Sequence, residues 1–260
     1  MTEIIATSIL INLIFSLSGC FVLWKRYVYY GDGLSHASML AAVVSVILGI
    51  PILYIGIVNT AFFIGFVFKV KSKSGNSAAI GFTSSIMVSL ASVLSYIFPM
   101  QFNIDSLLFG DIVAANGDEV FILCLILILT VGFISLNYNK LILIILSRDI
   151  AYSRGINVRL IEFLFLSILS FSIIATVKIV GALLVTSLLL IPATAARLIS
   201  NSPINMIIIS IVTGQIMNLF GISLSYLFDL PFAPVTILCG GAIFVIIKLL
   251  KHTKIKNTVL

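Results

Sequence analysis

Leu198 to Phe228 reads LISNSPINMIIISIVTGQIMNLFGISLSYLF, a stretch without a single Asp, Glu, Lys or Arg. About 20 apolar residues in a helix cross the roughly 30 Å hydrocarbon layer of a bilayer, so this stretch is read as membrane-spanning. Comparable charge-free runs extend from Ile4 to Trp24, Gly33 to Phe68, Ser74 to Ile104, Val120 to Asn139, Ile179 to Ala196 and Leu230 to Ile247. The whole chain of 260 residues is 61% hydrophobic and 9% charged, where soluble domains are about one quarter charged. A water-soluble globule is excluded. Eight or nine spans take roughly 160 to 180 residues, which leaves no room for a soluble catalytic domain. The expected fold is all-α, a polytopic transmembrane helical bundle of eight or nine spans, with residues 1–260 forming a single transmembrane domain.

The net charge of +6 gathers at Lys25-Arg26, Lys69-Lys71-Lys73, Lys140 to Arg159 and Lys248 to Lys256. Short basic segments beside spans face the cytoplasm, so an even number of crossings must separate each pair of clusters. Gly49-Ile50-Pro51 divides one long apolar run into a helical pair, because proline ends the helix before it. Pro99, Asp105, Asp111 and Asp118 mark an acidic connection on the outer side. Leu160 to Thr176, Ile179 to Ala196, Pro203 to Phe228 and Val235 to Ile247 complete nine crossings, with the amino terminus outside. The count falls to eight if one short segment is re-entrant. No basic stripe with interleaved aromatics occurs, so no nucleic acid partner is expected; the positive charge addresses the lipid bilayer. Cys20, Cys124 and Cys239 lie in apolar runs and read as small hydrophobes. Met1 to Leu17 lacks the basic start of a signal peptide and reads as a retained span.

Gly31-Asp32-Gly33-Leu34-Ser35-His36-Ala37-Ser38 follows the first basic cluster and feeds into an apolar helix. Asp32 and His36 are four apart and share a helical face. A carboxylate and an imidazole at that spacing can hold a divalent cation, and an ionisable pair inside a membrane usually lines a pathway. Equally, Asp32 can serve only as an N-cap and His36 as a hydrogen-bonded interfacial residue. Spacing alone leaves both readings open.

This run resembles the signature of the permease subunits of bacterial ABC importers for zinc and manganese. Three further stretches agree in order: Ser106 to Ile112 (SLLFGDI), Val180 to Ala196 (VGALLVTSLLLIPATAA) and Asp229-Leu230-Pro231. Together they cover most of the chain. The resemblance implies a multi-pass protein of the bacterial inner membrane that forms a homodimer. It also implies a cytoplasmic ATP-binding subunit, an external metal-binding protein, and zinc as the transported substrate rather than a bound cofactor. Ser38 after His36-Ala37 is similar to the zinc branch; manganese and iron remain alternatives. Asp111 in the outer connection joins Asp32 and His36 as an expected metal ligand of the transport path, while Asp105 reads as a solvated residue and Asp229 as a structural turn residue.

The segment Ser147 to Asn157 resembles the short permease helix that docks in a groove of the ATPase. Asp149, Ile150, Ala151 and Gly155 are its expected coupling residues, with Gly155 placed to stop the helix. Lys178 is expected to snorkel at the outer interface, and the basic tail with His252 to anchor at anionic lipid. The chain contains no GxxxxGK[ST] loop and no HExxH, so ATP hydrolysis is expected on another chain and an intramembrane metalloprotease is excluded. A proton-coupled carrier working through Asp32, His36 and Asp111 is the competing class, although no inverted repeat is visible.

Overall fold

The computed structural model describes residues 2–74, 76–98, 110, 112 and 115–258. Its longer helices, and one short one, are α1 (Thr2–Trp24), α2 (Tyr30–Leu48), α3 (Ile52–Ser74), α4 (Asn76–Ile97), α5 (Gly117–Leu146), α6 (Arg148–Ser153), α7 (Val158–Ile199), α8 (Pro203–Phe228) and α9 (Phe232–Thr258). Among the described residues, eight helices are long and apolar enough to cross a membrane; α6 is too short.

The helices stop where local chemistry makes stopping cheap. Gly49 takes φ 66° after α2 and returns its N–H to the Ser45 carbonyl, and Pro51 follows at once. A left-handed residue costs least when it is glycine. A reciprocal cap opens α5: the Glu119 N–H donates to Asn116 Oδ1 at 3.1 Å, and the Asn116 N–H donates to Glu119 Oε2 at 3.2 Å. Ser202 caps α8 ahead of Pro203, and Asp229 ends it as the left-handed C-cap at φ 50°. That placement matches the structural role read from its sequence.

At 1.5 Å per residue the 42 residues of α7 would run about 63 Å if straight, twice the hydrocarbon thickness. Gly181, at φ 80° and ψ 157°, breaks it into two pieces that are each close to one span in length. Eight helices and nine crossings therefore differ only in how α7 is counted.

The chain divides into two compact units. In the unit formed by Met1–Leu23, Asn103–Val120 and Thr176–Leu260, α1 and α8 run antiparallel. Cys20 Sγ meets the Met206 carbonyl, Ser210 Oγ donates to the Ser16 carbonyl at 2.8 Å, Asn12 Nδ2 donates to the Gly214 carbonyl, and Gln215 Nε2 donates to the Ile9 carbonyl at 3.2 Å. Numbers fall along one helix as they rise along the other. Glycines make this closeness possible: a Cβ at Gly214 would lie 2.2 Å from Ser16 Oγ, and one at Gly221 would lie 2.1 Å from Thr236 Oγ1 of α9. Small residues let helix backbones approach where lipid offers no hydrophobic drive for association.

In the other unit, Trp24–Phe102 with Phe121–Ala175, α2 packs on α3 and α4. A Cβ at Gly33 would stand 2.6 Å from Ile80 Cγ2, so glycine permits the α2–α4 approach. Asn59 Nδ2 of α3 donates to the Ala37 carbonyl at 3.1 Å. Tyr30 is fully buried at the start of α2, edge-on to Phe63 with its hydroxyl 2.7 Å from Ser170 Oγ.

Candidate functional site

Tyr30, Leu34, Ala37 and Ala41 form the buried face of α2, and Tyr29, Asp32 and His36 form the open one. The N-cap of α2 is Tyr29, so Asp32 lies in the first helical turn and the reading of Asp32 as the cap itself does not hold. An acidic residue there is favoured by the helix dipole. The His36 Nδ1–H donates to the Asp32 carbonyl at 2.8 Å, and Asp32 Oδ1 stands 3.4 Å from the same nitrogen. With Nδ1 engaged as donor, Nε2 carries the lone pair and is the atom available to a metal. Both side chains are accessible, with side-chain exposures of 51% for Asp32 and 34% for His36.

The pair opens into a cavity of about 610 Å³ between α2 and α4. At roughly 30 Å³ per water this is room for about 20 waters, ample for a partly hydrated cation. Ser77, Ser84, Ser85 and Ser89 of α4 line its far wall. Their spacing puts them on one helical face. Sequence reasoning did not single out these hydroxyls, although four serines at helical spacing in an apolar span were a visible signal. Hydroxyls can hold the hydration water of a cation without gripping the ion. Among the described residues no group of three or more His, Cys, Asp or Glu gathers that could hold a metal, so a closed site of four ligands is not built there. Asp105 and Asp111 lie outside the described residues. The described neighbour of Asp111, Gly110, fits against the α7 break: a Cβ there would be 2.3 Å from the Gly181 N. Lys178 pairs with Glu119 at 3.5 Å, a surface contact at 65% exposure of the lysine side chain.

On the basic side, Ser147 caps α6 by accepting from the Ile150 N–H, and Gly155 follows at φ 72°. The expected two-turn helix with a glycine stop is thus one short helix of the right place and kind. Asp149, Ile150, Tyr152 and Gly155 are exposed. Ala151, by contrast, is 0% exposed and packs within its own chain. Beneath α6 lies Glu162, with its side chain 3% exposed. Lys25 Nζ bonds Glu162 at 2.5 Å and the Arg148 guanidinium bonds both of its carboxylate oxygens. Burial pushes the Lys25 ammonium below the usual 10.5, and Glu162 pulls it partly back. For Arg148 burial works the same way, but the bond and charge of Glu162 outweigh it and hold the guanidinium above its ordinary value. This buried triad joins the first residue of α6 to the connection that leads into α2.

The sequence profile of the ABC 3 transport family matches residues 1–251. The chain belongs to the ABC 3 transport family. Among ABC 3 relatives, the high-affinity zinc uptake system membrane protein ZnuB of Buchnera aphidicola (subsp. Acyrthosiphon pisum) is 28% identical, over 97% of this chain and 99% of the relative. ZnuB of Haemophilus influenzae is 26% identical, over 92% and 93%. The manganese transport system membrane protein MntC of Listeria innocua is 25% identical, over 95% and 89%. Among solved structures, PsaBC from Streptococcus pneumoniae in complex with Fab shares the fold at a TM-score of 0.84, with 24% identity over 95% of this chain and 90% of that one. This ABC 3 chain is accordingly a multi-pass, all-helical membrane permease subunit and not itself an enzyme, and the self-sufficient carrier is set aside.

Proposed function

We propose that this chain is the membrane permease of an ATP-driven importer that carries zinc into the bacterial cytoplasm, with residues 1–260 acting as one permease domain. The observation that carries the reading is the pairing of Asp32 and His36 on the open face of α2, beside a serine-lined cavity. A carboxylate and an imidazole suit a borderline cation, and so few ligands allow it to leave. Two permease copies would double the pair, and Asp111 would add a carboxylate on the outer side. An external metal-binding protein delivers the ion, and a cytoplasmic ATP-binding subunit docks on Asp149, Ile150 and Gly155, with Ala151 holding the docking helix to its own chain. Manganese is the second reading, because a manganese permease relative matches over as much of the chain; iron is a further alternative. The test is zinc accumulation in cells carrying Asp32→Asn or His36→Gln at matched protein level. Uptake should collapse in both. Near-normal uptake in both would remove the pair from the path, and manganese outcompeting zinc in the wild type would reassign the cargo.

A further inference from the structure

A larger cavity, about 970 Å³, opens in the unit Trp24–Phe102 with Phe121–Ala175, away from Asp32 and His36. Its wall changes character with depth. Phe68 of α3 and Leu160 and Phe163 of α7 supply apolar surface above the buried Ile64. The α7 span begins at Val158, so Phe163 lies about 7.5 Å inside that end at 1.5 Å per residue. Lys69, Arg148 and Arg159 line the same cavity; Arg148 and Arg159 stand within two residues of the span ends at Leu146 and Val158, and Lys69 directly follows the charge-free run that ends at Phe68. Three cations thus face one carboxylate, Glu162, which is already bonded to Arg148 and Lys25. The result is a surplus of positive charge at the level where apolar spans end, with an apolar slot below it.

We infer that this groove binds an anionic phospholipid of the leaflet on the basic side, with the phosphate against Lys69 and Arg159 and an acyl chain along Phe68, Leu160 and Phe163. Basic pockets between helices at this level recognise anionic headgroups. A zwitterionic lipid would leave the surplus charge unmatched, and an apolar wall about 7.5 Å inside the span end suits an acyl chain. Tyr152 of α6 also lines the groove, so a bound lipid supports the docking helix from the membrane side. The inference does not depend on which metal is carried.

The full-length protein in nanodiscs of equal phosphatidylglycerol and phosphatidylcholine provides the test, with retained lipid counted by native mass spectrometry after gentle detergent release. Phosphatidylglycerol should be retained in preference, and Lys69→Gln with Arg159→Gln should cut that preference by roughly tenfold or more. Gly65→Trp keeps every charge and adds a ring at the groove wall that Gly65 lines; nothing lies within 4 Å of a Cβ there. It should abolish retention as well. Lys248→Gln with Lys251→Gln removes the same charge from the tail, which meets anionic lipid without a groove, and should cut the preference far less. Equal retention of both lipids by the wild type, full retention by Gly65→Trp, or an equal loss in the tail variant would each overturn the inference.

Discussion

Replacing Glu162 by glutamine tests how firmly α6 is tied to the start of α2. The carboxylate is 3% exposed and serves two cations, Lys25 at 9% exposure and Arg148 at 49%. Removing one partner of a buried pair costs about 3–5 kcal/mol, because the other charge is left buried and uncompensated. A half-exposed pair is worth about 1 kcal/mol at most. Glu162→Gln should therefore cost about 3 kcal/mol, nearly all of it through Lys25, while Arg148→Gln should cost about 1 kcal/mol because Lys25 still neutralises the carboxylate. At roughly 2–4 °C per kcal/mol for a chain near this size, the melting temperature in detergent should fall by roughly 6–12 °C in the first case and 2–4 °C in the second. The double variant Lys25→Met with Glu162→Met, which leaves no unpaired charge of this buried pair, should recover much of the loss. The pH dependence has a definite sign. Lys25 already sits below 10.5 through burial, and losing Glu162 removes the pull that opposes that fall. The folded chain then sheds the proton before the unfolded chain does. The penalty is full while Lys25 stays protonated in the folded chain and is relieved as pH rises towards 10.5, so the gap to wild type should narrow with rising alkaline pH. Equal shifts for Glu162→Gln and Arg148→Gln, or a gap that widens with pH, would refute the reasoning.

Ile150→Asp, on the exposed face of α6, should abolish metal-stimulated ATPase activity of the assembled transporter at an unchanged melting temperature; Ala151→Asp, at a position with no exposure, should instead lower the melting temperature of the permease alone. Gly221→Ala should destabilise the purified chain, since its Cβ would meet Thr236 Oγ1 at 2.1 Å and backbone at 2.9 Å. Gly132→Ala, where nothing lies within 4 Å, should be neutral or stabilise by up to about 1 kcal/mol; comparable melting temperatures for the two alanine variants would refute the packing account.

The number of spans and most of their ends were legible in the chain itself, although α5 runs to Leu146, past the charge-free stretch that ends at Asn139. A helix in lipid must satisfy its backbone internally, so span length follows from the hydrocarbon thickness and stops follow from local residues such as Gly49, Pro51 and Asp229. The shared face of Asp32 and His36 was legible for the same reason, because four residues make about one turn. What faces that pair was not. The serines of α4 and the 137-residue reach from Lys25 to Glu162 depend on which helix surfaces meet. Burial of Ala151 was equally hidden, since its neighbours in sequence are exposed. Nor did the motif around Gly181 reveal that this residue breaks α7 and receives Gly110 against its backbone. Helix formation is set by interactions a few residues apart. Lipid is as apolar as the side chains it bathes, so the choice of partner faces rests on close packing and buried polar pairs that only the assembled chain brings together.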